Sequence, residues 1–162
     1  MEKIVPPSFK SDTIVLKDSL NFRERLNQAM SKLSKTGGGV IHILDGDYYL
    51  DAPIVFESDI NLNLSENATL TFSPNPSDYL PNVKTRWEGT FIMNYSPLIY
   101  AIDKENLAIT GKGTINGDCK PIWLDWKFKQ KEDKNRIPQM GNNQIPIEQR
   151  VLEKVTFYVQ LA

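Results

Sequence analysis

Apolar and polar residues alternate along much of the chain, and the alternation repeats. Residues 59–70, D-I-N-L-N-L-S-E-N-A-T-L, lie over residues 104–115, K-E-N-L-A-I-T-G-K-G-T-I, at an offset of about 45 residues. Asn61 then falls on Asn106, Leu62 on Leu107, Leu64 on Ile109, Thr69 on Thr114 and Leu70 on Ile115. Pro53-Ile54-Val55-Phe56 fits over Pro97-Leu98-Ile99-Tyr100, slipped by one. Each copy holds short apolar runs of period two, broken by Asn, Gly or Asp, and rich in strand formers. That pattern predicts a mostly β solenoid whose coils have three strands and three turns. Such a coil needs roughly 20–25 residues, so about half of the offset must be an excursion. Residues 73–96 fit that role, with Pro74, Pro76 and Pro81 resisting a central strand. Long loops on a rigid scaffold are where binding residues tend to sit.

Ahead of the repeat, Thr13–Leu16 predicts a first strand. Asp18 or Ser19 is the expected N-cap of a helix over residues 19–35. Phe22, Leu26, Ala29, Met30 and Leu33 form one apolar stripe on it. Gly37 is placed to end the helix, and Val40–Leu44 to be the first coil strand. An amphipathic helix here would cap the open apolar end of a solenoid. Gly37-Gly38-Gly39 follows a helix and precedes a strand, the reverse of a phosphate loop. Residues 127–136 read as a solvated charge run and residues 137–149, with Pro138 and Pro146, as loop.

Charge and composition narrow the function. The 162 residues carry 19 basic and 20 acidic side chains, a net charge of −1, which points to neither nucleic acid nor an anionic membrane as partner. A single cysteine, Cys119, supports no internal disulfide and no Cys-rich metal site. No apolar run is long enough for a transmembrane helix. The start, M-E-K-I-V-P-P-S-F-K, has no apolar core of signal-peptide type, so the chain read literally is cytoplasmic. His42 is the lone histidine and reads as a packed or surface residue. Asp45, Asp47 and Asp51 imitate a paired-carboxylate site but cluster around one turn, where aspartates are common.

The ordered series G-G-G-V-I-H-I-L-D-G-D-Y-Y-L-D-A-P-I, S-D-Y-L-P, T-R-W-E-G, N-Y-S-P-L-I-Y-A and N-L-A-I-T-G-K-G-T-I-N-G resembles the N-terminal part of glycoside hydrolase family 28, the polygalacturonase-type enzymes. An unrelated solenoid adhesin fits the repeat but not the T-R-W-E-G series. The resemblance implies a right-handed parallel β-helix of the pectin-lyase-like superfamily, truncated here to its first coils. It implies inverting hydrolysis of pectic polygalacturonate, no metal or other cofactor, and a periplasmic or secreted location. In that chemistry one carboxylic acid protonates the leaving oxygen and a separated carboxylate activates water. The family draws these groups from Asn-Thr-Asp and Asp-Asp motifs on later coils, followed by Gly-His-Gly and Arg-x-Lys. None of these motifs occurs in this chain, so no catalytic residue is assigned.

Arg86, Trp87 and Glu88 are the candidate substrate-binding residues: an Arg for a uronate carboxylate and a Trp for a sugar face. After Arg150-Val151 the family typically continues Phe-Gly-x-Gly-His-Tyr-Leu-Arg-Pro. Back-translated with permitted codons and read in a shifted frame, the end of this chain gives Phe-Gly-Lys-Gly-His-Phe-Leu-Arg-Pro. Residues 1–151 are therefore expected to form the capping segment and first coils, and residues 152–162 to be an out-of-frame tail. Such a chain is expected to be inactive alone and able to self-associate through an open solenoid end. The alternative is a non-catalytic pectin-binding or structural β-helix fragment.

Overall fold

The computed structural model describes residues 6–87, 89–118 and 133–152, which divide into two compact units. The first holds Ile54–Thr71, Ala101–Asn116 and the described residues up to Leu50. The second holds Asp51–Pro53, Phe72–Tyr100 and the described residues from Gly117 onward. The first is dominated by strands, whereas the described residues of the second combine a hairpin with a helix and two 3₁₀ turns.

In the first unit, period-two segments stack as parallel ladders. β1 (Thr13–Leu16), β2 (Gly39–Ile43), β5 (Ile60–Leu64) and β10 (Ala108–Gly111) form one sheet in that order. β11 (Thr114–Asn116), β6 (Ala68–Phe72) and β3 (Gly46–Leu50) form a second. Val40 pairs with Asn61, 21 residues on, close to the coil length expected from strand geometry. Inward positions bury Ile41, Ile43, Ile60, Leu62, Leu64, Leu70 and Phe72 almost completely. Each such side chain contributes about 1.5–3 kcal/mol relative to leaving it in water. On the outward face of β5 and β10 the Asn63 amide donates to Thr110 Oγ1 (2.8 Å), whose hydroxyl donates to Asn61 Oδ1 (2.9 Å).

The register corrects the sequence alignment. Ile109 lies opposite Leu62 rather than Leu64, so Ala108–Gly111 and their partners are 47 residues apart. Asn106 is the counterpart of Asp59, not Asn61: both adopt positive φ (57° and 64°), and the Asn106 amide donates to the Asp59 carboxylate (2.8 Å). Thr114 opposite Thr69 restores the offset of 45. The turn between the strands is therefore two residues shorter in the later copy. Gly111 and Gly113 make this possible, because a Cβ at either would run into the backbone of Leu64 or of Ser65 and Ala68. Gly111 also takes φ +96°, a conformation costly for any other residue.

α1 (Phe22–Lys35) buries Phe22, Leu26, Ala29, Met30 and Leu33 and packs against β1, β2, β3 and β5. Phe22 and Tyr48 meet with ring centroids 4.3 Å apart. The helix starts later than the sequence suggested. Asn21, with φ 50°, holds the N-cap position without a side-chain cap, while Asp18 pairs with Arg25 (3.4 Å). Its end is as expected: Gly37 N–H donates to the Ser34 carbonyl (3.2 Å) and Gly38 N–H to that of Leu33 (2.8 Å), a Schellman closure.

In the second unit, β7 (Val83–Trp87) and β8 (Thr90–Asn94) form an antiparallel hairpin. β9 (Ile99–Tyr100) follows, and β4 (Ile54–Val55) is a similarly short strand in the first unit. Residues 137–149 are not loop: residues 133–142 are helical and Ile147–Gln149 forms a 3₁₀ turn. Pro138 forgoes one backbone donor within that helix, but Ile137 is buried in a core with Trp87, Ile92 and Leu152, and packing outweighs local propensity. Leu152, placed at the start of the expected tail, is fully buried, and its N–H donates to the Met93 carbonyl (3.1 Å). Residues 153–162 lie outside the described residues.

Candidate functional site

The segment expected to be an excursion is a self-locked turn followed by the hairpin. Asn75 caps the 3₁₀ turn Pro76–Tyr79 by accepting from Ser77 N–H (3.3 Å). Ser73 Oγ donates to the Asp78 carboxylate and accepts from Asn75 N–H (3.1 Å). The buried Tyr79 hydroxyl donates to the Ser73 carbonyl (2.6 Å). The S-D-Y-L-P series is thus structural: Tyr79 satisfies a backbone carbonyl that a Pro-rich segment cannot pair in a ladder, and Asp78 holds the side chain of Ser73.

The hairpin splits the candidate residues between two faces. Successive strand residues point oppositely, and Arg86 pairs directly with Phe91, Trp87 with Thr90 and Lys84 with Met93. Trp87 faces inward and is only 8% exposed, packed with Ile92, Ile137 and Leu152. Arg86 faces solvent on the other side. Glu88 lies outside the described residues. Arg86 and Trp87 therefore do not line one common surface.

What joins Arg86 is a different set. Its guanidinium carbon lies 5.7 Å from the Phe91 ring centroid, and Lys84 Nζ lies 4.7 Å from the same ring, which is 41% exposed. Two cations on an exposed aromatic ring attract by about 0.5–1 kcal/mol each and present positive charge beside an apolar face. Behind this face, Arg150 donates through Nε to the Ile145 carbonyl (2.6 Å) and through Nη1 to the Phe91 carbonyl (3.2 Å), fixing the β8 edge. The Tyr100 hydroxyl donates to the Lys84 carbonyl (3.0 Å), fixing β7. Lys84 and Phe91 were missed in the sequence. The signal for them was present: V-K-T-R-W and T-F-I-M-N alternate on either side of a two-residue turn ending in Gly89.

On the buried side, Trp87, Thr90, Lys134, Ile137 and Pro138 line a cavity of about 80 Å³, with Lys134 Nζ 6.0 Å from the Trp87 ring. That is far below the roughly 300–1,000 Å³ of ordinary ligand pockets. The other chemistry-bearing residues have structural partners. Asp45 accepts from both the backbone N–H and the side-chain amide of Asn67 (3.2 and 3.1 Å), and His42 Nε2 lies 3.1 Å from Ser65 Oγ. Gly38 and Gly39 are pressed against the backbones of Asp59 and Asp12, which leaves no cradle for phosphate.

The chain is similar to the crystal structure of a hyperthermoactive exopolygalacturonase from Thermotoga maritima, with 33% identity and a TM-score of 0.82 over 96% of this chain. The chain belongs to the family 28, polygalacturonase-type glycoside hydrolases. A family 28 exopolygalacturonase from Yersinia enterocolitica is a more distant likeness, at 26% identity and a TM-score of 0.52 over 67% of this chain. The chain spans only 38% of the Thermotoga protein and 21% of the Yersinia protein. No family model and no curated protein matches it.

Proposed function

We propose that this chain is the front part of a polygalacturonase-type hydrolase, built as a right-handed parallel β-helix with α1 as its N-terminal cap, and that it does not hydrolyse pectin by itself. The observation that carries this reading is the 33% identity to an exopolygalacturonase over 96% of this chain but only 38% of the other. The chain contains no Asn-Thr-Asp, Asp-Asp, Gly-His-Gly or Arg-x-Lys series. Inverting hydrolysis needs an acid and a base held about 6.5–9.5 Å apart across the scissile bond. Residues 152–162 are then an out-of-frame remainder, and a complete relative would be exported to meet its polymer. The test is reducing-sugar release from polygalacturonate by the purified chain. Release should stay at the buffer rate, and turnover at the rate of a working hydrolase would refute the proposal.

A second role has an observation of its own in its favour. Lys84 and Arg86 flanking Phe91 suit an acidic sugar, because a carboxylate can pair with the cations while a sugar face lies on the ring. In this reading Arg86 is the uronate contact, and Trp87 supports the strand that presents it. Calorimetric titration with oligogalacturonate should give binding that Arg86→Ala weakens about tenfold, the size of one charge-assisted hydrogen bond. Binding unchanged in the Lys84→Ala/Arg86→Ala variant would sink this role.

A further inference from the structure

The outer side of α1 carries a second concentration of positive charge. Phe22, Leu26, Ala29, Met30 and Leu33 turn inward, so Arg23, Asn27, Ser31 and Lys35, spaced four apart, form one exposed row along the helix. At a rise of 1.5 Å per residue the row is about 18 Å long, which several linked sugars span. With Gln28 and Lys32 it lines an open groove of about 830 Å³. The helix holds Arg23, Arg25, Lys32 and Lys35 against one carboxylate, Glu24, in a chain of net charge −1. Glu24 accepts from the Gln28 amide (3.2 Å), and Arg25 is held by Asp18 (3.4 Å). Lys32 and Lys35 have no carboxylate partner among the described residues. Lys10 Nζ donates to the Thr36 carbonyl (2.7 Å), so a third ammonium stands at this end. The helix dipole accounts for cations in the last turn but not for Arg23 in the first.

We propose that this groove on α1 is an accessory docking surface for a polyuronate chain, separate from the Lys84–Phe91 face. The inference rests on pectic polygalacturonate being the polymer of the proposed function and adds a further place where this chain holds it. Charge complementarity selects this occupant. A polyuronate offers a carboxylate on each sugar to Arg23, Lys32 and Lys35, and hydroxyls to the side chains of Asn27, Gln28 and Ser31. A single-stranded nucleic acid meets the groove less well. None of the described residues lining it is aromatic, so bases have nothing to stack on. An amphipathic peptide helix would find no apolar side chain there to bury against.

The test measures binding of the full chain to immobilised polygalacturonate by biolayer interferometry, in a Lys84→Ala/Arg86→Ala background so that the hairpin face does not contribute. Binding should persist in that background and weaken roughly tenfold or more when Lys32→Gln/Lys35→Gln is added. Both lysines are exposed, so the melting temperature should stay nearly unchanged. Lys32→Arg/Lys35→Arg, which keeps the charges, should bind like the parent. Raising the salt concentration should weaken binding. Two further probes separate charge from sugar. Fully methyl-esterified pectin, which lacks free carboxylates, should not bind. Polyglutamate, which has carboxylates without sugars, should compete roughly tenfold less well than polygalacturonate. Absence of binding in the hairpin background, or binding that the helix variant leaves unchanged, would overturn the inference while leaving the front-part reading intact. Polyglutamate competing as well as polygalacturonate would overturn a polyuronate as the occupant. Hydrolysis by the chain alone would refute the front-part reading and leave the binding ratios of the helix variants in place.

Discussion

The two copies of the repeat in the first unit carry nearly the same pattern and sit in different surroundings. The inner copy, β5 and β6, has neighbours on both sides, and its inward leucines are dry. The outer copy, β10 and β11, has the inner copy on one side, and its inward isoleucines are about two-fifths exposed. A hydrophobic residue in these parallel ladders thus takes its energetic weight from its strand's place in the stack more than from its own identity. Between paired positions the inner copy also has Ser65-Glu66-Asn67-Ala68, and the outer copy, two residues shorter, only Lys112-Gly113.

The largest expected contrast is between matched core truncations. Leu62→Ala should lower unfolding free energy by about 3–4 kcal/mol, because it removes a fully enclosed side chain and leaves a cavity. Ile109→Ala, at the paired position, should cost about 1 kcal/mol, since water already reaches the site. Urea denaturation of the two variants decides the matter. Equal losses would show that the outer strands are as enclosed in solution as the inner ones.

Next is the turn. Gly111→Ala should cost about 3 kcal/mol, because it combines a positive φ with a Cβ driven into the Leu64 carbonyl. Gly89→Ala, in the hairpin turn of the second unit, shares the positive φ (92°) but meets no atom within 4 Å, so about 1 kcal/mol is expected. Thermal melts should rank the two in that order. A smaller loss at Gly111 would mean that the shortened turn relaxes away from Leu64.

Asn106→Ala should cost about 2 kcal/mol. It removes an amide that donates to both the Ser8 carbonyl and the Asp59 carboxylate (2.8 Å each) and places alanine at φ 57°. Asn106→Gly, which keeps the backbone conformation accessible, should recover part of that loss. If glycine is no better than alanine in chemical denaturation, the side-chain bonds alone carry the effect.

The alternating strands were legible because burial on one face writes period two into the sequence. T-I-V-L, V-I-H-I and I-N-L-N-L all became strands, and the apolar stripe of α1 was equally direct. Register was not legible, because aligning the copies assumes equal turns. The offset changes from 47 to 45 at Gly111–Gly113, so matching Asn61 with Asn106 put two similar residues on different rungs. The hairpin was hidden by its setting: three prolines in the segment suggested irregular chain, although only residues before Val83 are constrained by them. Arg86 and Trp87 were visible as residue types, but a period-two strand separates neighbours, and the companions of Arg86 are Lys84 and Phe91. The helix at 133–142 was obscured by charges and Pro138, and one buried residue, Ile137, ties it to the core.

The smallest expected effects fall on ion pairs that link the two copies across their outer surface. Lys104 Nζ lies 2.6 Å from Glu57 with both side chains part-exposed, whereas Lys112 Nζ lies 3.8 Å from Glu66 with both largely in water. Neither is a core interaction, and solvent screening limits both to below about 1 kcal/mol. Lys104→Ala should still destabilise more than Lys112→Ala, which should fall within about 0.5 kcal/mol of the parent. The difference should shrink when salt is raised from 0.05 to 1 M, because the Debye length falls from above 10 Å to about 3 Å. A Lys112→Ala loss as large as that of Lys104→Ala, insensitive to salt, would mean that the lysine acts through its methylene stem rather than through its charge. Its contribution would then belong to the same apolar stacking that separates the inner copy from the outer.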